Sequence, residues 1–319
     1  MQSQLTEYRE IRHCHFFAGI GGGAKGFNKG NARVGNMEAR FRCIGGIDNN
    51  AGAVRDFKRL TGVDGTLLDL FDYEQYKAFH GSEPPAGWRE ANVEDVRKAF
   101  NYEKPHIIFL SPPCKGFSSL LSEKLSKSVK YQALNRLVTR GLFLALEAYK
   151  DDLPELILLE NVPRITIRGR WLIDQISALM NHYGYATAET SHDCGELGWL
   201  AQSRKRFPLV ARNVANVPPF LYEPEKKPLR SVGEVLSKAP LPGDPKAGPM
   251  HRLPMLTWKT WVRLAFVDAG GDWRSLNKLN IVDGKVADYA LVREPQRNDF
   301  LGVVDWKQTA GTFTGDARP

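Results

Sequence analysis

His106-Ile107-Ile108-Phe109-Leu110-Ser111-Pro112-Pro113-Cys114-Lys115-Gly116-Phe117-Ser118 is the stretch on which the reading of this chain turns. His106 to Leu110 is a near-continuous apolar run, the pattern of a parallel strand buried on both faces. Pro112 and Pro113 then end any hydrogen-bonded ladder and stiffen the turn that follows. Cys114 comes directly after them, so a thiol stands at the carboxyl end of a buried strand. Open α/β sheets bind their ligands at such ends. A cysteine beside a turn is usually a small apolar filler. The two prolines, Gly116 and the strand-end position make this one a candidate nucleophile.

Upstream, Cys14-His15-Phe16-Phe17 reads as a first strand, and Ala18-Gly19-Ile20-Gly21-Gly22-Gly23-Ala24 turns sharply into a helix. Glycines there let a ligand approach the backbone, with free amides at the helix start directed at it. The spacing Gly19-x-Gly21-x-x-Ala24 overlaps the dinucleotide fingerprint. The next strand, Phe41 to Ile47, ends in Asp48, 27 residues after Gly21. A doubly wound fold places the acid that holds ribose hydroxyls near there. Loop and acid together point to a cofactor containing a nucleoside.

Downstream, Leu156-Ile157-Leu158-Leu159 repeats the strand pattern and ends in Glu160-Asn161-Val162-Pro163. Adjacent parallel strands lie roughly 5 Å apart, so Glu160 and Cys114 can share one cleft. A strand-end glutamate is commonly a helix cap; beside a nucleophile it is a general-acid candidate. In Gln202-Ser203-Arg204-Lys205-Arg206, the two arginines alternate and so share a face of an extended segment. They are either surface charge or a grip for a phosphate or a pyrimidine carbonyl. Lys124, Lys127 and Lys130 recur every third residue among serines, which suits a phosphate-touching loop or a solvated face. Residues 131–149 show an amphipathic stripe of Leu134, Leu137, Val138, Leu142 and Ala145.

The chain of 319 residues exceeds the usual single domain, which predicts a large and a smaller one. No apolar run approaches the ~20 residues of a membrane span, and Met1-Gln2-Ser3-Gln4 has no signal pattern. Four scattered cysteines without a CxxC argue against a disulfide framework and a standard zinc site. A net charge of +8 and a pI near 9.2 permit attraction to a polyanion.

Phe17-Ala18-Gly19-Ile20-Gly21-Gly22, then Pro112-Pro113-Cys114, then Glu160-Asn161-Val162, then Gln202-x-Arg204-x-Arg206, in that order, resembles the cytosine-5 DNA methyltransferase family over roughly residues 14–212. The resemblance implies a doubly wound, mostly parallel α/β sheet of the Rossmann-like methyltransferase kind, with a smaller irregular domain. It implies S-adenosylmethionine as cofactor, held by Phe17 to Gly22, Asp48, Asn49 and Pro112. It implies attack by Cys114 on C6 of a flipped cytosine, with Glu160 at N3, Arg204 on the base carbonyl, Gln202 supporting the site and Arg206 bracing the catalytic loop. Lys115, Ser118, Lys124, Lys127 and Lys130 would meet the DNA. The implied partner is double-stranded DNA in the cytoplasm, with no membrane and no metal. RNA as substrate, or a silent DNA-binding relative, are the competing readings. A nicotinamide-dependent dehydrogenase would leave Cys114 with Glu160 no role.

Some features depart from the family pattern. Lys115 stands where glutamine is usual. The adenine contact is divided between Asp95 with Val96, which is better spaced, and Asp69. The region 61–93 is longer than the family's compact form, with Asp69, Asp72 and the segment Glu83 to Trp88 reading as an inserted surface excursion. Glu94-Asp95 either contacts adenine or caps a short helix. Residues 1–213 read as the catalytic domain. Residues 214–305 read as a target-recognition domain, carrying Trp258, Trp261 and Trp273 between proline-rich stretches. Residues 306–319 would begin a return to the catalytic domain. No Gly-Asn pair follows Arg206 and the chain stops after Thr309-Ala310-Gly311-Thr312 to Pro319. The expectation is a truncated form, or half of a split enzyme completed by a second polypeptide.

Overall fold

The structure is a computed structural model that describes residues 7–113, 116–117, 123–220, 223–248, 251–272, 274 and 302–311. Two compact units are present: residues 1–191 with 206–222, and residues 192–205 with 223–319.

The first unit is built on a twisted sheet. Its strands are β1 (Glu7–Phe16), β2 (Asn31–Val34), β3 (Met37–Asp48), β4 (Gly65–Leu67), β5 (Ile107–Leu110), β6 (Leu156–Asn161) and β7 (Tyr185–Glu189), with β9 (Lys205–Asn213) following the two-residue β8 (His192–Asp193). The order is β2-β3-β1-β5-β6-β9-β7, with β4 also on β3. β4, β3, β1, β5 and β6 run parallel, while β9 is antiparallel to both β6 and β7. The chain therefore leaves β1 toward β3 on one side and returns to β5 on the other. The crevice between β1 and β5 is the switch point where such sheets bind ligands.

Alternation decides which helices cover which face. On β1, Cys14 and Phe16 are fully buried in the main core with Ile44 of β3. That core continues into α4 (Val93–Ala99), α6 (Val129–Ala148) and α8 (Arg170–His182). His13 and His15 point the other way, where α1 (Gly22–Asn28) and α2 (Ala51–Thr61) pack, and there Ala24, Cys43 and Phe57 form a second small core. The register shifts between His13 and Cys14, a bulge in β1. The expected stripe on α6 is buried at every position named above.

Several boundaries differ from the sequence reading. β1 starts at Glu7 because it pairs with a β3 that begins at Met37. Gly35-Asn36 is the turn of a β2–β3 hairpin, whose exposed strand β2 has no apolar periodicity to announce it. Of the expected surface excursion, Glu83 to Trp88 is largely exposed and irregular, but Asp69 and Asp72 lie in packed structure. Around them are β4, α3 (Tyr73–His80) and the fully buried Phe71, and α3 packs on α6. Asp72 and Gln75 close a capping box at the start of α3.

The second unit has little regular structure: α9 (Cys194–Gly198), α10 (Val232–Leu236) and α11 (Trp258–Ala265). Asp193 shapes its first turn, accepting from the backbone N–H of Gly195 at 2.8 Å and of Arg204 at 2.7 Å, and from Ser203 Oγ at 2.6 Å. Gln202 bridges to Ala310, and its side chain donates to the Gly311 carbonyl. Trp306 lies against Gly233 so closely that a Cβ there would stand 2.5 Å from the indole. Among the described residues, no helix is long and apolar enough to cross a membrane.

Candidate functional site

The turn after β1 explains the glycine loop. Phe17 has φ +56°, a left-handed backbone rare for an aromatic residue. Its ring rests on Gly141 of α6, where a Cβ would lie 2.9 Å from the ring tip. Gly21 caps α1 with φ +89°, and a Cβ there would meet Phe57 at 2.8 Å and Thr61 at 2.9 Å. Only glycine satisfies both conditions.

Asp48, at the end of β3, holds this loop in place. One carboxylate oxygen accepts from the Gly19 N–H at 2.8 Å and the other from the Asn50 N–H at 2.9 Å. Asn50 in turn caps α2 by accepting from the Ala53 N–H. Phe17, Asp48 and Asn49 line a cavity of about 420 Å³, together with Asp69, Ser111, Pro113, Lys130 and Tyr131 among others. That volume lies in the range of small-molecule and cofactor pockets. Apolar walls from Leu134 and Leu137 beside the Asp48 and Asp69 carboxylates suit a nucleoside, with a flat base and a polar sugar. The residues present fit S-adenosylmethionine.

Of the two acids considered for adenine, the structure places Asp69 in the cavity wall. It accepts from the Phe71 N–H at 3.0 Å and from Trp88 Nε1 at 3.4 Å. Asp95 is not in that wall. It closes the capping box of α4 and pairs with Arg89, which holds its carboxyl below the usual range. Val96 is fully buried in the core, and Pro112 does not line the cavity, although Pro113 does.

Glu160 stands near the end of β6, one residue beyond the Leu110–Leu159 register pair of β5 and β6. Arg206 Nε lies 2.6 Å from Glu160 Oε1, and Ser111 Oγ donates to Oε2 at 3.0 Å. Ser111 also donates its N–H to the Phe16 carbonyl. Glu160, Arg206, Ser111 and the cavity thus come together at one sheet edge. Ser111 was not among the residues singled out from sequence, although its place just before Pro112 is the signal that marks it. Gln202 and Arg204 belong to the second unit described above.

Cys114, Lys115 and Ser118 lie outside the described residues, as does Trp273. Further along the chain, Phe117 is buried at 1% exposure against Gly169, and Gly116 packs on Asn135. Burial raises the thiols of Cys14 and Cys43, the latter to about 11, which keeps both protonated. Lys124, Lys127 and Lys130 are all exposed, and Lys130 also borders the cavity, with its Nζ 5.0 Å from the Phe79 ring centre. His13, His15 and Cys43 are buried close enough to hold a metal ion. Their nitrogens instead pair with each other at 2.8 Å, and His13 Nε2 with Asn28 at 3.0 Å.

The parallel strands and the cavity at the switch point define a Rossmann-like α/β fold. The C-5 cytosine-specific DNA methylase family model matches residues 11–242, and the chain belongs to that family. The S. pombe Dnmt2 methyltransferase has a similar fold, with TM-score 0.50 and 16% identity over 82% of this chain and 68% of its own. An Entamoeba histolytica methyltransferase, EhMeth, matches with TM-score 0.46 and 14% identity over 71% of this chain. A Spodoptera frugiperda DNMT2 matches with TM-score 0.45 and 16% identity over 81%. The chain spans 59% of the Entamoeba protein and 66% of the Spodoptera one. No curated protein sequence matches it. Members of this family use S-adenosylmethionine as methyl donor and act on nucleic acid.

Proposed function

We propose that this protein transfers a methyl group from S-adenosylmethionine to C5 of a cytosine extruded from duplex DNA. One observation carries this reading: the Glu160 carboxylate is hydrogen-bonded by Ser111, a residue that also lines the cavity entered by Asp48. A cofactor site and a strand-end acid therefore meet just beyond β5, whose sequence runs on through Pro112-Pro113 to Cys114.

Cytosine C5 is a poor nucleophile. In the proposed mechanism the Cys114 thiolate adds to C6, which makes C5 enamine-like. Glu160 holds N3 as charge develops there, a contact that strengthens toward the transition state. Asp48 and Asp69 would hold S-adenosylmethionine, which would supply an electrophilic sulfonium methyl group and leave as the neutral thioether. Loss of the C5 proton then expels the thiolate and restores the aromatic ring. The target atom is inaccessible in a stacked duplex, so the base must leave it. Arg204 and Gln202 are assigned to the base and its pocket. Arg206, through its ion pair, is assigned to Glu160 rather than to bracing the loop.

Lys124 and Lys127, exposed around α5 (Glu123–Ser126), are assigned to phosphates. Residues 214–305 are assigned to target recognition, with Trp258 at 78% exposure on α11 as a contact. The excess of positive charge favours a polyanion as substrate.

The test is transfer of labelled methyl groups to duplex DNA and, in parallel, to RNA. Duplex containing 5-fluorocytosine should trap an adduct on Cys114, because fluorine cannot leave as a proton. Methylation of RNA alone would overturn the substrate. An adduct mapped to Cys14, Cys43 or Cys194 would overturn the nucleophile.

A further inference from the structure

We propose that Ser111 is the positioning residue for Glu160, acting from the wall of the cofactor cavity; this rests on the function proposed above. Ser111 directly follows β5, and its N–H bond to Phe16 extends the pairing with β1 by one residue. The serine backbone is thereby fixed on one side by a strand and on the other by Pro112-Pro113. From that anchored backbone the hydroxyl reaches Glu160 Oε2 at 3.0 Å, while Arg206 takes Oε1 at 2.6 Å. Each carboxylate oxygen has its own donor.

The two donors are not equivalent. A guanidinium can only donate, so Arg206 can support the ionised carboxylate but cannot accept from a protonated one. A serine hydroxyl carries one proton and two lone pairs and rotates freely about Cβ–Oγ. While Glu160 is ionised, Ser111 donates to it. When Glu160 takes up a proton, the same hydroxyl can turn and accept from the carboxyl O–H until that proton is handed to the N3 of cytosine. Ser111 therefore keeps Glu160 aimed through a change of charge that Arg206 cannot follow. Ser111 also faces the cavity, so a molecule bound there packs against the residue that aims the acid.

Ser111→Ala removes the hydroxyl and little volume. Loss of a hydrogen bond to a charged group predicts a fall in kcat of roughly 10- to 100-fold. The KM for nucleic acid and the calorimetric affinity for S-adenosylmethionine should stay within about twofold. Ser111→Thr, which keeps the hydroxyl, should recover most of kcat at saturating cofactor. Crystal structures of parent and alanine variant supply an activity-independent readout: the Glu160 carboxylate should leave its place beside β5 only in the variant. A Ser111→Ala kcat within twofold of the parent overturns the proposal. So does a loss confined to cofactor affinity, or a Glu160 side chain that stays put in the variant crystal. A parent that methylates neither DNA nor RNA would instead overturn the proposed function, and the pair of crystal structures would then decide the role of Ser111 alone.

Discussion

β3 ends in Asp48 and β6 carries Glu160 one residue before its end, yet the two acids are held in opposite ways. Asp48 is held by backbone: the N–H groups of Gly19 and Asn50. Glu160 is held by side chains: Ser111 and Arg206. Backbone donors cannot be withdrawn without unmaking the loop, so Asp48 is part of the scaffold that shapes the cavity. Side-chain donors can rotate or exchange, so Glu160 can answer a substrate. Acids at equivalent topological positions are assigned to binding or to chemistry by what donates to them.

The sharpest way to break this comparison is at Glu160. Glu160→Gln should reduce turnover by about 10²- to 10⁴-fold, as for loss of a general acid–base group, while DNA affinity changes little. Weakened binding with intact turnover, measured by filter binding and single-turnover kinetics, would make Glu160 a scaffold acid like Asp48. At the other strand end, Asp48→Asn should act on binding and not on the chemical step. The amide places an NH₂ against one of two N–H donors, and calorimetry should show cofactor affinity falling by roughly 10-fold or more. A drop in kcat at saturating cofactor would erase the distinction.

Acid tests the glycine-loop side of the molecule. Burial lowers His13 to about 4 and His15 to about 3, from an ordinary 6.5. Protons therefore bind the unfolded chain first. The stability due to the neutral pair is fully present above about pH 6.5 and is lost as the pH falls toward 4 and below. Glu10 and Glu103, held low by Arg42, should give way only at lower pH. Thermal unfolding followed from pH 7.5 to 4 should show a falling Tm across that window, and a flat profile would mean the pair is already solvated. The smallest effect is expected from Lys124→Ala with Lys127→Ala. Affinity should fall modestly for every sequence, and the salt slope should flatten by about 0.9 for each phosphate that is no longer neutralised. An effect on one sequence only would make these lysines readers of bases.

Much of this was legible because strand ends leave strong marks. Apolar runs closing on Asp48, on Ser111-Pro112-Pro113 and on Glu160 gave the sheet, its switch point and its two acids. The adenine-side acid was harder to read. Asp95 had the expected spacing, but spacing does not reveal a capping box, and Asn92 with Arg89 uses that carboxylate locally. Asp69 follows β4, a three-residue strand too short to show a period. The β2–β3 hairpin was missed for a related reason: an exposed edge strand needs no apolar alternation. Arg206 was separated from Arg204 only by the fold, since alternation places both on one face without saying what each face meets.

The amide oxygen of Asn28, the last residue of α1, accepts from both His13 Nε2 and the Cys43 N–H at 3.0 Å. A single carboxamide thus ties the helix that follows the glycine loop to β1 and β3. The Cys43 amide is therefore shielded from solvent by a side chain belonging to the loop's own helix. Its deuterium uptake becomes a clock for docking of that helix: slow while Asn28 is seated, and faster each time the helix lifts.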